Sequence, residues 1–498
     1  MKNIPRAKPI LIVLALVLSA AFAAACTGPK ANPESPTQSP GENGQDGGGI
    51  AEPTTQDPLS IYDHDLGEYD FGGEEFKIQI FENAAVRNNI DTPEQNGDMF
   101  NDALYKRNRT VEAKFNVKIK EVVIGDFKND QTRKVILTGD STVFDMFDSR
   151  CPDVFINWVG GLTIPYDDLP VIDLAKPYWN ISANKTLTIG GNQYAAIGKF
   201  NISSYDISHA LLFNKKLIND FMLENPYTLV NEGKWTFDRM EEMMKAVIQD
   251  LNGDGIMDLK DDRFGYLTNP KQVLANFWIS AGEFSVNKDE DDMPYVAIGG
   301  EKFLTVCDRV YSMLWDTGAF AFVEVEQDIP PYAIEMFGNN QTLFLDTTLL
   351  LIESMRSMEM DFGIIPYPKW NEQQENYVSR VEYYMVQQVP ITNADPERAG
   401  VMLEALNSES AKTIFPAFFE TALKTKYARD DESAEMLDLI LNTLVIDIGD
   451  TTMAHLIRDG FMARMFATKD RNIVSKLAGA EGSFKSFLRD VQKKLPGV

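Results

Sequence analysis

The sequence predicts an α/β protein, and three observations carry that reading. Alternating apolar and polar runs, Glu75–Phe81 and Val117–Val123, bracket a stretch, Met99–Phe115, with apolar residues at helical spacing. The same alternation of strand-like and helix-like stretches resumes between Asn192 and Val389. At 498 residues, with 44 % hydrophobic and 24 % charged content, the chain can build two or more domains with real cores.

The elements follow in chain order. Lys2, Arg6 and Lys8 precede an apolar run, Ile10–Phe22, that is too short to span about 30 Å of hydrocarbon. Ala23, Ala24 and Ala25 then lead to Cys26. Small residues before a cleavage point mark a secretory signal over 1–25. A Cys directly after them is similar to the lipobox of bacterial lipoproteins, although Ala23 stands where Leu is usual. Lipidation at Cys26 is therefore expected, the alternative being an ordinary signal with an incidental cysteine. Residues 26–69 are expected to be a flexible tether. Thr27–Pro58 alternates Pro with Gly, Ser, Gln and Asn and cannot bury enough apolar surface to fold. Such a tether floats a domain about 30 Å off its anchor.

Beyond it, the helix Met99–Phe115 places Leu104, Val111 and Phe115 on one face. Val143–Phe147 reads as a strand, and Pro152–Leu162 as a helix ended by Gly160 and Gly161. Asn192–Phe200 and Ala210–Asn214 read as strands, Lys215–Leu223 and Thr236–Gln249 as helices. Thr236 is placed to cap the latter, whose stripe of Phe237, Met240, Met244 and Val247 is core. Gln341–Leu345 is a strand running into a helix, Thr348–Ser357. Asp361–Pro368 and Glu382–Val389 are further strands, and from Pro396 the pattern is mainly helical.

Between the helix at 236–249 and a short strand at 263–268 lies Asp250–Asp261, D-L-N-G-D-G-I-M-D-L-K-D. Oxygen-bearing side chains occupy loop positions 1, 3, 5, 9 and 12: Asp250, Asn252, Asp254, Asp258 and Asp261. Gly255 stands where the calcium loop turns sharply, and Ile256 offers a backbone carbonyl. Calcium wants six to eight oxygens, and this spacing wraps them round one point. Asp261 in place of Glu shortens the last arm, so weak binding is expected, on the order of 10⁻⁴–10⁻³ M. The loop has no partner loop and no second amphipathic helix, so it reads as a structural staple. The alternative is a plain polar turn after a helix.

A net charge of −27 argues against nucleic acid, which needs clustered Lys and Arg. After removal of the leader only Cys151 and Cys307 remain besides Cys26; they form one disulfide or stay as two buried thiols.

The stretches YAAIGKF…LLFNKKLI, KWTFDRMEEMMKAV, DLNGDGIMD leading into RFGYLT, and DFGIIPYPKW…YYMVQQVPITNADPERAGVMLEAL together resemble the extracellular solute-binding proteins of bacterial ABC importers, family 1, which includes sugar and oligosaccharide binders. The resemblance covers most of residues 70–498 and implies a two-lobed, type II periplasmic-binding-protein-like α/β fold. Its chain crosses between lobes three times, here near Gly198–Ser204, Val381–Val389 and Val445–Asp450. Lobe one is then 70–198 plus 385–447, and lobe two 205–380 plus 451–498. A ligand lies in the cleft between the lobes, outside the carboxyl ends of strands, and hinge closure follows binding.

A sugar presents hydroxyl edges and C–H faces, so its pocket combines carboxylates, amides and Arg with flat aromatics. At the expected strand ends these types are Asp148, Ser149, Arg150 and Asp153; Tyr205 and Asp206; Gln272, Asn276 and Trp278; Asp346 and Thr347; Glu382, Tyr383 and Tyr384; and Asp450, Thr451 and His455. The strongest candidates are Asp148, Arg150, Tyr205, Trp278 and Tyr384. Against each stands a structural role. Asp346 and Asp450 suit helix N-caps, Trp278, Trp158 and Trp315 suit the core, His455 suits packing, and Arg150 suits pairing with Asp148 or Asp153. Tyr383 and Tyr384 point to opposite faces of a strand, so one of them faces the cleft.

The first reading is thus a monomeric, lipid-anchored receptor that hands a carbohydrate to an ABC permease. A second keeps the receptor and exchanges the solute for a peptide or another small polar molecule. A third, a secreted glycan-degrading enzyme, needs two carboxylates at fixed separation, which 74 acidic residues do not exclude. No nucleophile elbow, metal-binding His pair or phosphate loop supports it. A calcium-dependent adhesin rests on the single loop alone.

Overall fold

Ten strands build two sheets in the computed structural model, which describes residues 57–81, 90–125, 129–321, 331–355, 357–419 and 428–493. The leader, Cys26 and the tether up to residue 56 lie outside these residues; the expected tether stops there, because Pro58–Tyr62 is a short helix and Tyr62, Leu66 and Tyr69 pack on the first-sheet core. In chain order the strands are β1 (Glu74–Ile80), β2 (Val117–Val123), β3 (Met146–Arg150), β4 (Thr163–Ile164), β5 (His209–Asn214), β6 (Phe264–Leu267), β7 (Phe320–Ala321), β8 (Thr342–Thr348), β9 (Phe362–Ile365) and β10 (Met385–Pro390).

The first sheet has the order β2-β1-β3-β10-β4 and the second β7-β6-β8-β5-β9. The two are built alike. Three parallel strands are followed by one antiparallel strand, β10 or β5, and an edge strand antiparallel to it. In each sheet the antiparallel strand is the one that enters directly from the other half of the chain.

Helix Met99–Phe115 runs as read, and Asp98 caps it by accepting from the amides of Phe100 and Asn101. Leu104, Val111 and Phe115 are buried beneath it. Helix Phe237–Val247 buries Phe237, Met240, Met244 and Val247 completely. Thr236 precedes it without a side-chain cap bond. Three elements depart from expectation. The third strand starts at Met146 rather than Val143. Asn192–Phe200 pairs as a strand only at Asn192–Gln193, because buried side chains take over its backbone: Asn184 accepts from the Ile197 amide and Asn407 from that of Phe200. Close packing there explains Gly198, where a Cβ would sit 2.0 Å from Asn407 Oδ1. Helix Asp431–Asn442, assigned to lobe one by resemblance, packs instead on β9 of the second sheet, where Ser433 Oγ accepts from the Ile364 amide.

The halves meet where three segments lie side by side. Ser208 bridges Val381 antiparallel, and Ser379–Arg380 pairs parallel with Leu444–Val445. The Glu382 amide donates to Ile207 O at 3.1 Å and the Val381 amide to Val445 O at 3.1 Å. A further tie joins the hairpin formed by Val286–Lys288 and Pro294–Val296 to residues 185–191. Lys288 Nζ donates to Lys185 O and Thr188 Oγ1, each at 2.9 Å, and Asp292 accepts from the Gly191 amide at 3.1 Å. Among the described residues, no helix is long and apolar enough to cross a membrane.

Candidate functional site

The waist segments carry a buried polar network. His209, the first residue of β5, places Nδ1 2.9 Å from Asp346 of β8 and Nε2 2.9 Å from Glu382 of the return segment. Arg380 grips Asp450 with two contacts, Nε to Oδ2 at 2.6 Å and Nη2 to Oδ1 at 2.8 Å. Its Nη1 donates to Gln272 Oε1 at 2.7 Å and Asn276 Oδ1 at 2.8 Å, both on helix Pro270–Ser280. Gln272 Nε2 returns a bond to Glu382 at 2.9 Å, and Arg458 reaches Glu382 at 3.2 Å and Asp450 at 3.4 Å. Thr268 and Tyr367 each donate to Asp346 at 2.6 Å.

Burial alone would neutralise these groups, and their neighbours reverse that. Burial raises the Glu382 carboxyl, but Arg458, His209 and Arg380 outweigh it and hold it well below the usual range. Asp346 is likewise lowered, chiefly by His209, against burial. Burial and Arg380, whose Nη1 lies 3.1 Å from Nε2, lower His209, yet Asp346 and Glu382 raise it on balance. With His209 protonated, three cations face three buried carboxylates, and Arg458 pairs in addition with the more exposed Asp459 at 2.8 Å. Both ring nitrogens of His209 are taken up by carboxylates, so no nucleophile stands beside it to be activated. The arrangement fixes the segments against each other; it does not present a reactive group.

Five candidates from the sequence, Gln272, Asn276, Asp346, Glu382 and Asp450, thus meet in one network. His209, Arg380 and Arg458, which complete it, were not singled out. For Arg380 the signal is a charged residue inside the strand-like run Val378-Ser379-Arg380-Val381; His209 and Arg458 carry no such mark.

A second cluster lies at the end of β3. Asp148 is fully buried; Gln387 Nε2 donates to its Oδ1 at 2.7 Å, while Oδ2 has no partner. Burial, aided by the charge of Glu121 and opposed by the Gln387 bond, pushes its carboxyl up to about 7. Arg150 turns to Asp153, Nε to Oδ2 at 2.6 Å, and Arg133 reaches the other oxygen of Asp153 at 3.1 Å. Ser149 accepts from Asn157. Tyr383 is half-buried and feels the charges of Arg150, Asp153 and Asp148. The structure thus gathers Asp148, Arg150, Asp153 and Tyr383 at one place.

The remaining candidates sit elsewhere. Trp278 is wholly buried, its indole N–H donating to Asp447 at 3.0 Å and its ring 5.3 Å from Phe303. Tyr384 is wholly buried against Thr452, its hydroxyl 3.1 Å from Oγ1. Both are packed in the core, the structural role set against Trp278 in the sequence; of the two adjacent tyrosines it is Tyr383 that keeps exposure. Tyr205 is buried edge-on to Phe415, Asp206 lies beside it, and Thr347 donates to the Thr348 carbonyl. Thr451 donates to the Asp447 carbonyl, and His455 is exposed rather than packed. Trp158 stacks on Tyr194 at 3.6 Å, and Trp315 lies among Phe320 and Phe466. Cys151 and Cys307 are free, buried thiols; burial pushes Cys151 up to about 12.

The loop 250–261 stands as a staple between helix Phe237–Val247 and β6, its base closed by the bridge from Gln249 to Arg263. Asp250 accepts from the amides of Gly253 and Gly255, Asn252 from Asp254, Asp254 from Ile256, and Asp258 from Lys260 and Asp261. Gly255 has φ +80°, the turn expected of it. Asp262, buried and one residue past the expected ligands, accepts from Leu251 and Asp258 and ties the two ends together. Among the described residues no group of three or more His, Cys, Asp and Glu side chains is arranged to hold a metal ion. The donor types are those of a hard cation, carboxylates and one amide, mostly exposed; within the same loop Lys260 Nζ pairs with Asp261 at 3.3 Å.

No family model and no curated protein matches the chain. Solved structures do. The cyclic α-maltosyl-1,6-maltose binding protein of Arthrobacter globiformis superposes with a TM-score of 0.56 at 14 % identity, over 84 % of this chain and 99 % of that one. The chain has the fold of ABC-importer solute-binding proteins. The galacto-N-biose-/lacto-N-biose I-binding protein of the Bifidobacterium longum ABC transporter, in complex with lacto-N-biose, matches at 0.54 and 12 % identity, over 86 % and 99 %. The GacH receptor of Streptomyces glaucescens matches at 0.53 and 13 %, over 84 % and 99 %. In a solute-binding fold the two like-ordered sheets are the two lobes, and the paired segments at 207–209, 379–382 and 443–446 are the waist between them.

Proposed function

We propose that the protein is an extracytoplasmic receptor, lipid-anchored at Cys26 and monomeric, that binds a carbohydrate between its lobes and delivers it to an ABC permease. The observation that carries this reading is the waist: three paired segments joining two sheets of identical order, the architecture of a hinge that closes on a guest. The sugar-binding character of the similar structures favours a carbohydrate. Asp148, with one carboxylate oxygen unengaged, Arg150 and Tyr383 are the proposed contacts on the first lobe. Binding rather than catalysis suits a network whose acids are all neutralised by Arg or His.

We propose further that loop 250–261 holds a structural calcium ion through Asp250, Asn252, Asp254, the Ile256 carbonyl, Asp258 and Asp261. The ion would cross-link a helix and a strand of the second lobe and supply no chemistry.

Isothermal calorimetry of the mature protein against mono- and oligosaccharides tests the receptor reading. Saturable heat with at least one sugar, weakened at least tenfold by Asp148→Ala, is expected. Heat with peptides and none with any sugar would replace the carbohydrate. Release of product from a glycan would replace the receptor by an enzyme.

A further inference from the structure

The His209 ring is held by two acids at once. Nδ1 faces Asp346 Oδ1 of β8, and Nε2 faces Glu382 Oε2 of the return segment, each at 2.9 Å. A neutral imidazole has one N–H and one lone pair, so it would set a lone pair against one of these carboxylates. The neighbours offer no proton to relieve that clash. Arg380 Nη1 lies 3.1 Å from Nε2, but its two protons go to Gln272 Oε1 at 2.7 Å and Asn276 Oδ1 at 2.8 Å. An arginine only donates, so it turns both amide oxygens towards itself. Gln272 Nε2 then donates to Glu382 Oε1 at 2.9 Å, and Asn276 Nδ2 to the Tyr367 hydroxyl at 2.8 Å. The Tyr367 and Thr268 hydroxyls spend their single protons on Asp346, each at 2.6 Å. With every neighbouring donor spent, the bonds close only around an imidazolium.

We propose that the His209 imidazolium is a removable pin in the waist: it ties the return segment to the second lobe, and loss of its proton frees that segment, so that the stiffness of the hinge follows the external pH. His209 and Asp346 belong to the second sheet, whereas Glu382 lies on the chain just before β10 of the first. The bond from Nε2 to Glu382 therefore spans a crossing, beside the backbone bond from the Glu382 amide to Ile207 O at 3.1 Å. Once Nε2 loses its proton, its lone pair meets the carboxylate and a charge-assisted bond becomes a repulsion.

The charged groups facing the ring are Asp346 from β8 and Glu382 and Arg380 from the return segment. Helix Pro270–Ser280 brings only the neutral amides of Gln272 and Asn276 to the network. Arg458 acts through Glu382, Asp450 through Arg380, and Tyr367 through Asp346. The remaining residues of β5 carry no titratable group. Asp346 and Glu382 are held below the usual carboxylate range, while His209 is raised. The pin is thus complete below about 6.5, the ordinary imidazole value, and is lost as pH rises through the higher folded value. The Glu382 side chain is 10 % exposed, so the proton leaves by way of that carboxylate. The pin itself depends only on these bonds; its bearing on delivery of a guest rests on the receptor reading.

The chain has three histidines, His64, His209 and His455, so nitrogen-15 labelling of histidine alone gives a ring spectrum that His64→Gln and His455→Gln assign. The full chain is titrated from pH 5 to 10, and hydrogen exchange of the Glu382 amide is followed over the same range, corrected for intrinsic rate. At pH 7 both ring nitrogens of His209 are expected to carry protons, with the change to the neutral ring at higher pH. Across that change, protection of the Glu382 amide is expected to fall by about tenfold or more, as loss of a charge-assisted hydrogen bond requires, while the amides of Leu211–Phe213 stay protected. His209→Gln, which cannot donate to both acids, is expected to show the lower protection at every pH. A ring already neutral at pH 7 overturns the pin. A ring still doubly protonated at pH 10, or Glu382 protection that stays level through the titration, overturns the switch. The wild-type titration is decisive even if the variant does not fold. A failure to bind sugar leaves each of these readings in place and counts against the receptor alone.

Discussion

Arg380→Met is the sharpest probe of the waist. Arg380 and Asp450 are 2 % and 0 % exposed and joined by contacts of 2.6 and 2.8 Å. Removing the cation leaves Asp450 with Arg458 alone, at 3.4 Å, and leaves Gln272 Oε1 and Asn276 Oδ1 without this donor. Breaking a buried pair costs about 3–5 kcal/mol, and each orphaned acceptor adds about 1. The compact unit Asp57–Val498 carries an unfolding entropy of about 0.9 kcal/mol/K. The melting temperature should therefore fall by roughly 5–8 °C, read by calorimetry at neutral pH. Adding Asp450→Leu should recover part of that loss, because an apolar pair in place of an ionic one is often neutral. A fall below about 1 °C, or a double variant less stable than the single one, would refute the reasoning.

Three further outcomes are expected. Millimolar calcium should raise the melting temperature by the equivalent of about 1–2 kcal/mol, an increment absent with EDTA or in Asp254→Ala; identical melts with and without calcium would mean that the loop holds no ion. Asp148→Asn should stabilise the ligand-free protein above pH 7 by a few kcal/mol and leave it unchanged at pH 4, while weakening sugar binding. The sign follows from a folded value near 7 against about 3.9 unfolded: the protonated form fits the fold, so stability is full below pH 4, declines to pH 7 and is level above it. Lys288→Ala should loosen the hairpin tie and speed amide exchange over residues 188–193 about fivefold, consistent with roughly 1 kcal/mol for a partly exposed pair; unaltered exchange would assign the tie no role in holding the halves.

Local pattern carried much of the fold. Met99–Phe115 was legible from its apolar stripe alone, and the Asp98 cap and left-handed Asn116 that bound it in the structure likewise act within a few residues. The waist was legible only as resemblance, since Ser208, Val381 and Val445 are brought together across more than two hundred residues. Residue type found half of the network: acids and amides at strand ends are conspicuous. The Arg residues that neutralise them lay in runs that read as ordinary strand or helix. Trp278 and Tyr384 were open to either reading for the converse reason. An aromatic beside a strand end looks the same in sequence whether its polar atom meets solvent or, as here, Asp447 or Thr452.

The threading of the sheets sets an order of assembly. The β3 and β4 strands cannot be joined until β10, some two hundred residues later, slots between them. The second sheet has all five of its members by Ile365. A chain emerging amino end first can therefore finish its later half while the earlier half still waits for its keystone, and a fragment stopped near residue 380 would hold one completed sheet and one left open.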